Sequence, residues 1–274
     1  MKLPAFLFLL SLPASAAVIW QENFESYDTN KTSLEDQNPA WWTDPVGTDA
    51  IAVVANSSLN GSKSLVIGRS APVEETDPGV SWALGPESTE FTPTPPEVEL
   101  RFSVTLAFGA GAGQTALQDN FLLSFSDQAA KPLSNIMFAP GLVAGDISVY
   151  RGNFAPAGQT STFDTQTVIG VGDSFTLDVV MNLLLNKWTA TVSTGSNVFG
   201  LFANVDMTRN PNATAQNLGS FNLDWQKAAG ATQWGSNFMV ADNFVMQSQV
   251  PVPEPGVPML AGVCAVIGAL RRRR

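Results

Sequence analysis

Between residues 97 and 108 the chain reads EVELRFSVTLAF, and Val98, Leu100, Phe102, Val104 and Leu106 alternate with Glu97, Glu99, Arg101, Ser103 and Thr105. A repeat of two gives a strand one buried and one wet face, as in an antiparallel sheet. The stretch 175–185 repeats the pattern, with Phe175, Leu177, Val179, Met181, Leu183 and Leu185 on one side and Thr176, Asp178 and Asn182 on the other. After Asn186 and Lys187 the alternation restarts at Trp188, Ala190 and Val192, which predicts a long hairpin. Shorter strands are predicted over 51–55, 64–68, 80–84, 121–125, 135–138, 146–150, 198–202, 220–223 and 238–246, nearly all separated by Gly, Pro, Asn or Asp.

No stretch of the body carries the period of a four-turn helix, and no repeat of 20 to 50 residues stands out. About a dozen strands with closely spaced turn signals predict an all-β fold, a two-sheet antiparallel sandwich of the jelly-roll kind, over 18–247. The segment TPTPP at 92–96 reads as a rigid loop entering a strand, and 248–256 as the linker that closes the domain.

Both ends are of a different kind. Lys2, an apolar run over 5–12 bracketed by Pro4 and Pro13, and the small residues Ala14 and Ala16 around Ser15 have the layout of a secretory signal peptide over 1–17, with cleavage expected after Ala16 or Ala17. At the far end, 257–270 is mostly apolar; as a helix it would reach about 21 Å, short of the ~30 Å hydrocarbon core. Arg271, Arg272, Arg273 and Arg274 extend that reach by snorkelling and hold this end in the cytoplasm under the positive-inside rule. Pro253, Glu254 and Pro255 precede the run and keep the chain extended.

The order Pro-Glu-Pro, short apolar helix, terminal arginine cluster resembles the PEP-CTERM sorting signal. The resemblance implies transient insertion in the inner membrane of a Gram-negative bacterium and an exosortase-type processing enzyme as partner. Removal of the tail would then release the protein to the cell surface or extracellular matrix. An ordinary C-terminal membrane anchor is the alternative.

Composition narrows the chemistry. Charged residues make up only 14%, against about a quarter in a typical protein, and hydrophobic residues 45%. The formal charge is −10, and setting aside Lys2 and the four terminal arginines leaves −15 on the body. Its remaining cations are scattered, which excludes nucleic acid as a partner. There is no histidine, and the single cysteine, Cys264, lies in the apolar tail. Ser-His-Asp and Cys-His catalysis, His-ligated zinc and disulfide staples are therefore closed to the body, which must be held by core burial.

The motifs QENFESYD, NPAWW, NGSKSLVIG, SFTLDVVMNLLLNKWTATV and ADNFVMQ, taken in order, resemble a concanavalin A-like, laminin-G-like jelly roll. That resemblance implies first and last strands adjacent in one sheet, with Phe24 and Phe244 in the core. It also implies laminarinase-type glycoside hydrolases as relatives, whose catalysis needs a carboxylate pair. The nearest approach, Glu97 and Glu99, opens a run followed by Arg101 and Ser103 and reads as a solvated face, so no catalytic pair is found.

Calcium accompanies the resembled fold, and Glu22 and Asp242, near the joined ends, are its candidate ligands; hydrogen bonding to turn backbone is the other use for them. Sugars stack on aromatic faces flanked by amides and carboxylates, which makes Trp41 and Trp42 candidates, with Trp225 and Trp234 near Gln226, Gln233 and Asn237 behind them; packing into the core is the competing role. The reading is an exported, non-enzymatic β-sandwich of the cell surface or matrix with exopolysaccharide as its partner. The alternatives are a divergent laminarinase-type hydrolase and a purely structural matrix component.

Overall fold

The computed structural model describes residues 17–30, 34, 37–38, 41–44, 52–56, 62–68, 81–86, 99–110, 119–127, 132–140, 149–156, 163–195, 197–207, 218–228, 230–232 and 234–249. Among them fifteen strands form: β1 (Ala17–Glu22), β2 (Trp41–Asp44), β3 (Ala52–Asn56), β4 (Lys63–Ile67), β5 (Ser81–Pro86), β6 (Glu99–Ala110), β7 (Asn120–Ser126), β8 (Pro132–Pro140), β9 (Val149–Pro156), β10 (Phe163–Gly170), β11 (Ser174–Asn182), β12 (Lys187–Thr194), β13 (Asn197–Asp206), β14 (Ser220–Gln226) and β15 (Asn237–Gln249).

The strongest alternation makes the best-defined strands. Leu100, Phe102, Val104 and Leu106 of β6 are buried, as are Phe175, Leu177, Val179 and Met181 of β11 facing them across the pair. The hairpin from β11 to β12 closes Asn182 against Lys187. Asn186 takes the left-handed conformation at φ 55°, which Asn tolerates better than most residues. Asn182 Oδ1 accepts the Leu185 N–H at 2.9 Å. Leu185 is therefore part of the turn, 63% exposed, and does not continue the apolar face as the alternation predicted.

All pairings are antiparallel and they sort into two sheets. The first runs β13-β12-β11-β6-β15-β4-β3, with β1 also on β15; the second runs β10-β9-β8-β7-β14-β5-β2. Strand β15 gives one edge to β6 along its length and divides the other, Met239 to Ala241 pairing β4 and Phe244 to Ser248 pairing β1. A bulge separates the two halves, and Asn243 within it has φ 52°. The first and last strands thus lie side by side, and both Phe24 and Phe244 are fully buried.

The core is aromatic at both ends. Phe102, Phe221, Phe244, Phe24 and Trp41 interlock at centroid separations of 4.8 to 6.2 Å, with Trp20 packed beside them. Phe108, Phe121, Phe138 and Phe175 do the same elsewhere in the core, at 5.3 to 5.9 Å. Burying each such ring is worth about 1.5–3 kcal/mol, which is how a sandwich holds together without disulfides.

The sandwich begins at Ala17 and continues through Ser248 and Gln249, which pair with Leu100 and Glu99, so it is longer at both ends than 18–247 and the linker begins later than 248. Strand β9 is described from Val149, and residues 146–148 of the strand expected over 146–150 lie outside the described residues. Strand β10 had no sequence signal, because a register shift between Asp164 and Val168 breaks its alternation. The apolar segment 257–270 lies outside the described residues; among those described, no helix is long and apolar enough to cross a membrane.

Candidate functional site

The second sheet turns a patterned face away from the core. In β14, Phe221, Leu223 and Trp225 point inward, which leaves Ser220, Asn222, Asp224 and Gln226 on the outer side. Pairing sets Asn222 and Asp224 opposite Ser124 and Leu122 of β7, and these oppose Asn135 and Met137 of β8. Gln226 stands opposite Asn120. With strands about 4.8 Å apart, the result is a half-buried Met137, with Leu122 buried beside it, rimmed by carboxylate, amide and hydroxyl groups.

Two features distinguish this face from an ordinary wet one. Burial pushes the Asp224 carboxyl up from 3.8 to about 6, against the opposing hydrogen bond that Ser124 Oγ donates to its Oδ2 at 2.5 Å. Asn222 Oδ1 is buried with no hydrogen-bond partner among the described residues. A buried acceptor without a donor costs about 1–3 kcal/mol, so a ligand that brings a donor removes a penalty already present. Sequence reasoning passed over Asn222, Asp224 and Ser124; the polar parity of SFNLDWQ was the available signal.

The residues singled out from sequence fall elsewhere. Trp41 is 1% exposed and covered by Phe24, Trp20 and Phe244, and Trp225 is fully buried, so neither offers a face to a sugar. Both are corrected from ligand platform to core: Trp41 is enclosed by its aromatic neighbours and the alternation along β14 points Trp225 inward. Trp234 packs against Trp225 with the rings tilted by 46° and their centres 4.2 Å apart, and Lys227 Nζ lies 5.4 Å from its ring centre, leaving it too without an open face. Trp42 pairs with Gly85 at the rim strand β2; its side chain lies outside the described residues. Gln226 remains on the outer face, whereas Asn237 is buried and exchanges two 2.8 Å hydrogen bonds with the Asp119 backbone.

Asp119 itself is buried and accepts N–H bonds from Trp225 Nε1 at 2.9 Å and Gly235 at 2.8 Å, both at Oδ2. Burial raises its pKa from 3.8 to about 6, with those hydrogen bonds pulling the other way. Its partners join the start of β7 to the connection between β14 and β15, a structural use of a buried acid.

The calcium candidates are near one another through the β1–β15 pairing, in which Glu22 opposes Phe244. Glu22 Oε1 accepts the N–H groups of Asn23 and Phe24 at 2.9 and 3.1 Å, and Oε2 accepts the Tyr27 hydroxyl at 2.8 Å and Asn38 Nδ2 at 3.5 Å. Burial, with this bond next, raises the Tyr27 pKa well above its usual range. Asp242 accepts from Ser62 Oγ at 2.7 Å and from the Asn243 N–H at 2.7 Å, and burial raises its pKa. Glu22 is thus engaged by the turn that follows β1 and Asp242 by Ser62 and the Asn243 N–H, and no group of three or more metal-ligating acids, cysteines or histidines occurs among the described residues. A depression of about 200 Å³ beside them is lined by Gln21, Glu22, Asn23, Asn243, Phe244 and Val245. Ala17 is the first residue of β1, while Ala14, Ala16, Pro253 to Pro255 and Arg271 to Arg274 lie outside the described residues.

No protein-family model and no curated protein matches this sequence. Solved structures do match its fold. The marine PL-14 alginate lyase from Aplysia kurodai superposes with a TM-score of 0.56 at 8% identity, over 85% of this chain and 100% of that one. A mutant of alginate lyase Aly36B in complex with alginate trisaccharide gives 0.54 at 10% identity, over 87% and 99%. The CBM2 module of an evolved Dit from Lactobacillus casei BL23 phage J-1 gives 0.51 at 8%, over 88% and 100%. The chain is an antiparallel jelly-roll β-sandwich of the architecture found in polysaccharide lyases. That finding corrects the non-enzymatic reading: an architecture on which alginate lyases are built gives no ground for excluding an enzyme. At such identities the likeness is one of fold and carries no activity over to this chain.

Proposed function

We propose that this protein is exported, sorted by its PEP-CTERM-like tail, and associates with polysaccharide at the cell surface or in the extracellular matrix through the outer face of the second sheet. The observation that carries the carbohydrate part is the face itself: half-buried Met137 as the apolar contact for sugar rings, and Asn120, Ser124, Asn135, Asn222, Asp224 and Gln226 as hydroxyl partners around it. Glycan sites combine an apolar surface with a few placed polar groups in this way. Alginate lyases with the same architecture, one of them determined with an alginate trisaccharide bound, support the reading at the level of fold.

The export part rests on the leader and tail. Signal cleavage after Ala16 would leave Ala17 as the first residue of β1, where it pairs with Ser248, so the sandwich would keep every strand after processing at both ends. An exosortase-type enzyme cutting near Pro255 would likewise act beyond Gln249, the last residue of β15.

Pull-down of the secreted protein with the producer's own exopolysaccharide, alongside intact-mass measurement, tests both parts. The expected result is a retained chain that starts at Ala17 or Val18 and ends near Pro255. Retention lost in an Asn222→Ala, Asp224→Asn double variant locates the site. A chain that keeps Met1 and Arg274 removes the export part, and a wild-type protein that no polysaccharide retains removes the carbohydrate part.

A further inference from the structure

We infer that the outer face of β14, β7 and β8 selects neutral, hydroxyl-rich glycans and rejects polyuronates, with Asp224 and Asn222 as the acceptors that make the selection. The inference rests on the proposal that this face engages polysaccharide and adds the class of polysaccharide.

The argument begins with what the face lacks. Among Asn120, Leu122, Ser124, Asn135, Met137, Asn222, Asp224 and Gln226 there is one charge, and it is negative. By register, Asp44 of β2 stands two strands from Asp224, through Ala83 of β5, on the side away from β7. Among the described residues Arg151 of β9 stands opposite Ala139 and Lys227 follows Gln226 at the end of β14, so neither is in register with Asp224, whose row continues through Leu122, Met137 and Asn153. Residues 18–247 carry nine cations and 23 acids, a net −14. A uronate carboxylate at Asp224 would therefore meet a like charge, and no described cation stands in register with Asp224 on β7, β8 or β9 to offset it.

What the face offers is acceptance. Asn222 Oδ1 is buried and without a donor, and Asp224 keeps Oδ1 beyond the oxygen that Ser124 already engages. A neutral sugar supplies donors: each hydroxyl can give its hydrogen to one of these oxygens while the ring's C–H face covers Met137. A hydroxyl donating to an ionised carboxylate makes a shorter, stronger bond than one donating to a neutral acceptor.

Protonation supplies the discriminating signature. The Asp224 carboxyl titrates at about 6, raised by burial against the Ser124 bond, with no charged group contributing to the shift. Above that pH it is a charged acceptor suited to a hydroxyl; below it the acid becomes a donor, and the repulsion that keeps out a uronate is gone. Affinity for neutral glycan should therefore rise with pH through about 6, and any affinity for polyuronate should fall.

The test is calorimetric titration of the full chain with cellohexaose, laminarihexaose, mannohexaose and an alginate hexasaccharide at pH 5 and pH 8, for wild type, Asp224→Asn and Asn222→Ala, with melting curves to confirm folding. At least one neutral hexasaccharide is expected to bind about tenfold more tightly at pH 8 than at pH 5, with that dependence absent in Asp224→Asn and affinity about tenfold lower in Asn222→Ala. The alginate hexasaccharide is expected not to bind at pH 8. Alginate bound at pH 8 at least as tightly as every neutral probe overturns the inference and leaves the polysaccharide proposal standing. Neutral binding that neither variant alters overturns the assignment of this face. If none of the four binds, the inference fails, and retention by the producer's own exopolysaccharide decides whether the polysaccharide proposal falls with it.

Discussion

The Trp225 indole N–H donates to Asp119 Oδ2 at 2.9 Å inside the sandwich, and the Gly235 N–H donates to the same oxygen at 2.8 Å. The carboxylate thereby joins a core strand to the start of β7 and to the connection entering β15. Removing it orphans two buried donors at once. Asp119→Ala should destabilise the fold by about 2–4 kcal/mol, measured by urea titration, whereas Trp225→Phe, which also removes a donor, should cost less than Asp119→Ala.

The same acid predicts the pH dependence of stability. Asp119 titrates at 3.8 when free and at about 6 in the fold, so the folded state holds its proton more tightly. The stabilisation is complete below 3.8 and is lost as pH rises through about 6. A shift of about two units corresponds to about 3 kcal/mol. Asp224 shifts in the same direction. The melting temperature should therefore rise as pH falls from 7 to 5, and Asp119→Asn should flatten part of that slope. A wild-type melting temperature that falls over the same interval would show that burial does not control this acid.

Lys63, on β4, ties the turn after β1 to the first sheet. Its Nζ donates to the carbonyl oxygens of Glu25 and Tyr27 at 2.9 and 2.8 Å, and its backbone N–H donates to Glu25 Oε1 at 3.2 Å. These bonds hold the turn after β1 against the start of β4, where β15 changes partner. Lys63→Met keeps the stem and loses the two ammonium bonds, at an expected cost of about 1–3 kcal/mol. Amide exchange at Trp20 and Glu22 should quicken more than at Phe102 or Val179, because local opening of β1 leaves the central strands in place.

The central strands were legible because their two faces differ sharply. In β6, Leu100 to Leu106 and Arg101 to Thr105 take opposite environments, and the same contrast gives the hairpin of β11 and β12. Strand β10 was not legible, since its register shift interrupts the period of two. The tryptophans misled for a related reason: a large aromatic beside polar residues fits a sugar platform and a core edge equally well until its surroundings are known, and Trp41 and Trp225 are both enclosed in the core. The outer face was hidden by distance along the chain. Asn222 and Ser124 meet across strands about a hundred residues apart, and nothing in their local sequence says that Leu122 and Met137 lie beside them.

Glu22 yields the sharpest test of the calcium expectation. Its four hydrogen bonds occupy both carboxylate oxygens, so a cation there would have to displace the Asn23 and Phe24 amides or the Tyr27 hydroxyl. A chelator should therefore leave the melting temperature unchanged. Glu22→Gln removes the charge and substitutes a donor for one acceptor oxygen, which should cost about 1–2 kcal/mol. Because Glu22 also helps hold the Tyr27 hydroxyl protonated, the variant should let Tyr27 ionise at lower pH, visible by ultraviolet titration against Tyr150. Were calcium instead to raise the wild-type melting temperature and leave Glu22→Gln unmoved, the carboxylate would be a ligand and the turn bonds its resting state.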